Sequence, residues 1–340
     1  MNYGSKQIRK KIKSLRSPYE KIGRKAVVLF FKLITVCIVV CFVMLTCVGL
    51  GAFTGIIETA PQISLDAVSP QSYQSYIYDS NGNKVETLVA SGSNRIEASI
   101  DDMPKHLINA FIAIEDARFY SHNGIDPQGI VRAAYKTIKN KFKSTQGASP
   151  ITQQLIKNNI FSAESENGLI DTFKRKFQEQ YLALILEQSV DKDTILQNYL
   201  NTINLGNNNL GVQAAAQNYF NKDVSELTIS ESAVIAATTS NPYKYNPVRF
   251  PENNKTRRAI VLKNMLEQEL ISKAEYDEAL ADNVYDRIMN VKNTSTGSTA
   301  YSYYTDALIS QLMQDLMNLK GYTQTQAYNL VYRARFVLLH

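Results

Sequence analysis

The sequence predicts a mainly α-helical protein, built as one N-terminal transmembrane helix, a small strand-bearing stalk and a predominantly helical external domain. Three observations carry this. Leu33 to Phe53 holds no charged residue over 21 positions, apolar residues recur at the 3.6-residue period from Leu107 onward, and short β-branched or aromatic runs broken by turn signals cluster between residues 58 and 106. At 340 residues with 44% hydrophobic content, the chain can bury one large core or two modest ones.

The N-terminal element divides by charge. Residues 1–32 carry ten Lys or Arg against the single acid Glu20, so the formal charge of +6 is local, and the remainder holds 27 basic and 30 acidic residues. A nucleic-acid partner would need a basic face on the folded part, which this distribution argues against; a basic tail directly before an apolar run is a cytoplasmic membrane flank. At about 1.5 Å per residue, Leu33–Phe53 is long enough to cross the hydrocarbon core as a helix. It exceeds the h-region of about 7–15 residues in a cleaved signal peptide, and no clear A-x-A site follows it. The expected order is therefore a cytoplasmic tail over 1–32, a membrane anchor over 33–53, and an external remainder.

Cys37, Cys41 and Cys47 all lie in the apolar run, so no disulfide framework or cysteine-based zinc site is available outside it. His106, His122 and His340 are too scattered for a metal cluster. Within the stalk, residues 54–106, Tyr76-Ile77-Tyr78 and Val85 to Val89 are strand candidates around an Asn81-Gly82 turn signal. Helices are predicted over Leu107–Glu115, Ile151–Phe161, Thr172–Glu187, Thr194–Leu200, Val212–Phe220 and Ile229–Thr239. The last opens with a capping box, Thr228-Ile229-Ser230-Glu231, and stops at Asn241-Pro242. These helices make up a core over 107–250. A charged helical pair over 252–290 and a Ser/Thr/Gly/Asn linker, Asn293 to Thr299, belong to an extension over 251–340.

Glu115 follows Ile108, Phe111 and Ile112 by seven, four and three positions, so its carboxylate projects from the apolar side of its helix. An acid placed among apolar residues is one arrangement from which catalytic carboxylates are made. The alternative is an ionised helix-end residue paired to Arg118 three positions on.

The surroundings of Glu115, Glu115-Asp116-Ala117-Arg118-Phe119-Tyr120-Ser121-His122-Asn123-Gly124-Ile125-Asp126, resemble the first signature of the family 51 glycosyltransferases, the polymerase domain of class A penicillin-binding proteins. A second block, Gly147-Ala148-Ser149-Pro150-Ile151-Thr152-Gln153-Gln154-Leu155-Ile156-Lys157-Asn158, is similar to the family's Ser-Thr-Ile-Thr-Gln-Gln element, with Pro150 replacing the first Thr. That replacement is expected to be mild, with Ser149 as N-cap and proline at the first helical position. A third, Arg175-Lys176-Phe177-Gln178-Glu179, carries the Arg-Lys-x-x-Glu pattern. The fourth runs from Lys192 to Asn201, with Gln197 where Glu is common, and the fifth from Gly211 to Lys222, with Asn221 where Gly is usual. Five blocks in the family's order span residues 115–222, and with their flanks the resemblance covers roughly residues 60–290.

The resemblance implies a lysozyme-like helical glycosyltransferase domain that polymerises lipid II onto a growing glycan strand with inversion, releasing undecaprenyl diphosphate. It implies Glu115 and Glu179 as catalytic residues, Glu115 being the general base. Substrate contacts are implied at Asp116, Phe119, His122, Ser149, Thr152, Gln153, Gln154, Lys157, Asn158, Arg175 and Lys176, the cations meeting the leaving diphosphate. No covalent cofactor is expected; a divalent cation such as Mg at Glu179 is an option. Partners are the cytoplasmic membrane and cell-division or elongation proteins. Between the first two blocks, Ile130 to Lys143 interleaves Val131, Tyr135, Ile138 and Phe142 with cations, a pattern that suits a membrane surface or a solvated amphipathic helix.

Ser189-Val190-Asp191-Lys192 and Ser165-Glu166-Asn167 match two transpeptidase patterns, but they lie inside the glycosyltransferase region in the wrong order and no Lys-Thr-Gly exists. Penicillin binding is not expected, and the sequence reads as a bifunctional protein truncated in its inter-domain linker. A lysozyme-like lytic enzyme and an inactive membrane-anchored scaffold are the competing readings.

Overall fold

A computed structural model of the chain describes residues 4–15, 18–70, 73, 75–88, 95–139, 149–161, 168–288, 303–333 and 337–339. It divides into two units, residues 1–60 and 61–340.

The first unit holds α1 (Ser5–Leu15) and α2 (Pro18–Glu58). Proline opens α2 at a position where its missing N–H removes no helical bond. From Lys25 to Glu58 this helix is long and apolar enough to cross a membrane. It extends beyond the predicted 33–53 at both ends, because loss of apolarity does not stop a helix and neither flank supplies a proline or a cap there.

In the second unit, the two strand candidates appear as β1 (Ser75–Tyr78) and β2 (Lys84–Leu88), which pair as an antiparallel hairpin. Its turn is held by Asp79, whose carboxylate accepts from the Asn81 and Asn83 backbone N–H groups at 2.9 and 2.8 Å. A third strand was not expected: β3 (Val337–Leu339) pairs in parallel with β1, giving the order β2-β1-β3. Helices α13 (Tyr303–Lys320) and α14 (Gln324–Arg333) bury Ile309, Leu316, Ala327 and Val331 against Ile77 and Leu88 of the hairpin. Residues late in the chain thus complete the stalk. The predicted linker Asn293 to Thr299 lies outside the described residues.

The remaining helices are α3 (Leu65–Val68), which has no counterpart among the expected helices, then α4 (Lys105–Glu115), α5 (Pro127–Lys139), α6 (Ile151–Ile160), α7 (Leu169–Ser189), α8 (Lys192–Thr202), α9 (Val212–Phe220), α10 (Ile229–Ala237), α11 (Pro251–Glu267) and α12 (Lys273–Ala281). The α10 helix is buried along nearly its whole length and packs on α4 and α11, while α6 packs on α7 and α8. Fully buried Phe111, Leu155, Ile156, Leu182, Leu186, Tyr199 and Tyr219 fill the centre, each contributing on the order of 1.5–3 kcal/mol. Phe111 and Tyr199 meet edge to face with ring centroids 6.5 Å apart.

Two departures from the family pattern have local reasons. Asn221 ends α9 with φ 52°, ψ 42°, the left-handed conformation that asparagine tolerates best after glycine. Gln197 accepts from the Ile100 N–H at 2.8 Å, a bond that an amide oxygen serves without a charge. The capping box at Thr228 and Glu231 is present, but α10 ends at Ala237, two residues short of the predicted last helical residue, Thr239. The Thr238 and Thr239 N–H groups bond three residues back, to Ile235 and Ala236, which tightens the last turn.

Candidate active site

Glu115 is the last residue of α4 and is half-buried. Each carboxylate oxygen has one neutral donor: the side-chain amide Nε2 of Gln154, from α6, donates to Oε2 at 3.0 Å, and the Thr239 hydroxyl beyond α10 donates to Oε1. The Gln154 amide is itself oriented. Its Oε1 accepts from the Tyr199 hydroxyl at 3.3 Å, and its Nε2 also donates to the Ser149 carbonyl at 3.0 Å. Burial first, then the charges of Glu115 and Asp116, push the Tyr199 phenol well above its ordinary range, so it remains a donor. Arg118 pairs with Asp126 at 2.6 Å and not with Glu115, which leaves the base candidate without the helix-end cation the alternative reading required.

Asp116 and His122 are buried together. His122 Nδ1 accepts from the Gly124 N–H at 3.2 Å, so its proton sits on Nε2 and is donated to Asp116, 3.0 Å from both carboxylate oxygens. Asp116 Oδ2 also accepts from the Ile151 N–H at 3.0 Å. This corrects the expectation for the α6 N-terminus. Pro150 is the N-cap rather than the first helical residue and makes no side-chain cap bond, Ser149 is not the cap, and the orphan donor is satisfied from the loop after α4.

Glu179, 0% exposed on α7, receives Arg175 on Oε1 and Lys176 on Oε2, the latter at 2.7 Å. Lys176 Nζ also donates to Ser149 Oγ at 3.1 Å. Glu115, Gln154, Ser149, Lys176 and Glu179 therefore form one connected network, with Lys157 and Asn158 exposed further along α6. The donors around Glu179 are cationic, and no group of three His, Cys, Asp or Glu side chains is placed for a metal among the described residues. That set does not fit a divalent cation.

Three of the expected substrate contacts have side chains turned to the interior. Phe119 is buried beneath Lys192, whose Nζ lies 4.4 Å from the ring centroid. Thr152 donates to Glu187, and Gln153 donates to the Gly124 carbonyl at 3.0 Å. Sequence reasoning missed Thr239 and Tyr199. Tyr199 stands in the fourth block, where its helical register marks a core position, whereas Thr239 follows a helix end with no local signal.

The second unit's chemistry-bearing residues fall within a recognised stretch. Residues 81–266 match the family described as Transglycosylase. Penicillin-binding protein 1A of Clostridium acetobutylicum is 37% identical over 311 residues, covering 89% of this chain and 38% of that protein. The Clostridium tetani protein of the same name is 37% identical over 316 residues, covering 91% and 39%, and that of Clostridium novyi is 40% identical over 242 residues, covering 69% and 28%. The chain thus spans about two fifths of the length of the first two of these curated relatives. The crystal structure of penicillin-binding protein 1A from Haemophilus influenzae aligns with a TM-score of 0.40 at 24% identity, over 79% of this chain and 27% of that one.

Proposed function

The chain belongs to the transglycosylase family, and from that premise we propose that it is a peptidoglycan glycosyltransferase that polymerises lipid II into glycan strands. The 4-hydroxyl oxygen of one disaccharide bonds to the anomeric carbon of the other, the bond from that carbon to the diphosphate oxygen breaks with inversion, and the hydroxyl proton passes to Glu115. Undecaprenyl diphosphate leaves. The observation that carries this reading is the network joining Glu115 to Glu179 through Gln154, Ser149 and Lys176.

A base needs an unprotonated, accessible carboxylate held in position. Glu115 is half-buried, has neutral donors on both oxygens and retains lone pairs for a third partner. Near Glu179, Arg175 and Lys176 gather two cations on one carboxylate, and Lys157 makes no ion pair among the described residues. Such a group suits the negative charge that builds on a departing diphosphate. No step requires a metal here.

The substrate's lipid tail calls for a membrane site. The apolar helix Lys25–Glu58 supplies an anchor, with the basic tail inside and the second unit outside. Ile130, Val131 and Tyr135 of α5 and Ile170 and Phe173 of α7 are exposed apolar side chains suited to the bilayer surface. The side chains of Ile138 and Lys139, and the stretch Asn140 to Lys143, lie outside the described residues. Binding to cell-division or elongation proteins is part of the same proposal.

The test is polymerisation of purified lipid-linked disaccharide in detergent by the wild type and Glu115→Gln. General-base help is worth about 10²–10⁴ in rate, so the variant should lose turnover by that factor. Equal activity in both removes Glu115 from the mechanism; release of fragments from preformed glycan would replace synthesis by lysis.

A further inference from the structure

Only one of the two donors to Glu115, Gln154, lies in a block that the family resemblance marks. The other is Thr239, 124 residues away in sequence, at the tightened end of α10. Its neighbour Thr238 is fully buried and spends its hydroxyl on the Val234 carbonyl at 3.2 Å, while also receiving Asn254 at 3.4 Å. Thr239 is half-buried and turns its hydroxyl to Glu115 Oε1 instead. Two adjacent residues of one type thus have different tasks, one in the fold and one at the site.

We propose that Thr239 is a positioning residue for the base, holding Oε1 of Glu115 while Gln154 holds Oε2. This rests on the reading of Glu115 as the proton acceptor. The terminal torsion of a glutamate has a broad, roughly two-fold profile, so a single donor leaves the carboxylate plane free to rock, whereas donors on opposite oxygens fix it. Both are neutral and orient the group without cancelling its charge, as a lysine or arginine would. Each takes one lone pair from its oxygen, leaving acceptor capacity for the sugar hydroxyl. Small errors in the placement of a reacting group are expensive in rate, which is where a second tether acts.

The test measures kcat and KM for polymerisation of lipid-linked disaccharide by the full chain in detergent, comparing wild type, Thr239→Val, Thr239→Ala, Thr239→Ser and Glu115→Gln. Thr239→Val keeps the shape and deletes the hydroxyl; Thr239→Ala deletes hydroxyl and methyl together, should the valine side chain disturb folding; Thr239→Ser keeps the donor. Val and Ala are expected to lower kcat about tenfold with KM within about twofold of wild type, and Ser to stay within about twofold on both. Wild-type kcat in Val and Ala, with Glu115→Gln inactive, overturns the role of Thr239 and leaves the base in place. A raised KM at unchanged kcat also overturns it, by making the hydroxyl a substrate contact, as does a serine variant no better than valine. An active Glu115→Gln removes the base itself, and with it this role.

Discussion

Ser149 and Lys176 are joined by a 3.1 Å hydrogen bond from Nζ to Oγ, and through it the α6 and α7 halves of the site share one network. Lys176→Met breaks that bond and one of the two contacts to Glu179 while keeping an apolar stem of similar length. Because the Lys176 side chain is 38% exposed, the change in stability should stay within about 1 kcal/mol. The proposed diphosphate contact predicts a KM for lipid-linked disaccharide raised about tenfold, read from initial rates.

Glu179→Ala is the opposite case. It takes from Arg175 and Lys176 the fully buried carboxylate that they share. Removing one member of a buried pair costs about 3–5 kcal/mol in general, and the partial exposure of both cations lowers the expectation to about 2–3 kcal/mol. Urea denaturation of the second unit measures it, alongside loss of polymerisation.

Asp116→Asn keeps the shape, and an amide oxygen at the Oδ2 position still meets both the His122 Nε2 proton and the Ile151 N–H, but the amide NH2 then stands at the Oδ1 position, 3.0 Å from the same His122 nitrogen, donor against donor. That buried mismatch costs about 1–3 kcal/mol. A thermal melt should show the loss, and Asp116→Ala should lose at least as much.

Gly124 adopts φ +82° and lies so close to α7 that a Cβ would stand 2.7 Å from the Ala183 carbonyl carbon and oxygen. Gly124→Ala therefore combines a strained backbone with a clash against main chain that has no flexible end to move. The expected destabilisation is about 2–4 kcal/mol, seen as a lower Tm, with Asn at the same position no better because the clash persists.

Glu231 sets an acid limit. Burial alone would raise its carboxyl, but the Thr228 N–H, Lys222 at 2.9 Å and Arg287 at 3.1 Å outweigh burial and hold it below its ordinary value. A group lowered in the folded state contributes stability that is fully present above its unfolded value of about 4.3 and is lost as pH falls through its lower folded value. Both cations are partly exposed, so the contribution is about 1–2 kcal/mol. Denaturant midpoints between pH 7 and pH 3 should fall at the acid end in the wild type, and Glu231→Gln should start lower and fall less.

What the sequence makes legible is whatever repeats locally. The 3.6-residue period locates α4, α6, α7, α8 and α9 within a few residues, because each buries one face against the same core. Within those helices the motif spacing brings Glu115, Gln154, Lys176 and Glu179 into view. Partners are another matter. Arg118 stands three residues from Glu115 and nonetheless turns to Asp126, since two bonds to a carboxylate in the following loop outcompete one exposed contact along the helix. The cap of α6 is supplied by Asp116, 35 residues upstream, and Thr239 reaches Glu115 from a different helix end. No period encodes such meetings, and neither the parallel pairing of β3 nor the packing of α13 and α14 on the hairpin leaves a trace in local composition.

The register of Ile77 with Leu338 has a temporal meaning during synthesis. A two-stranded hairpin is marginal by itself, and its third strand and covering helices are the last described residues to leave the ribosome. Loop closure grows only slowly with length, by about 0.6 kcal/mol per doubling, so the delay in completing the sheet is set by translation rather than by chain entropy. Until then the apolar side of the hairpin stays wet.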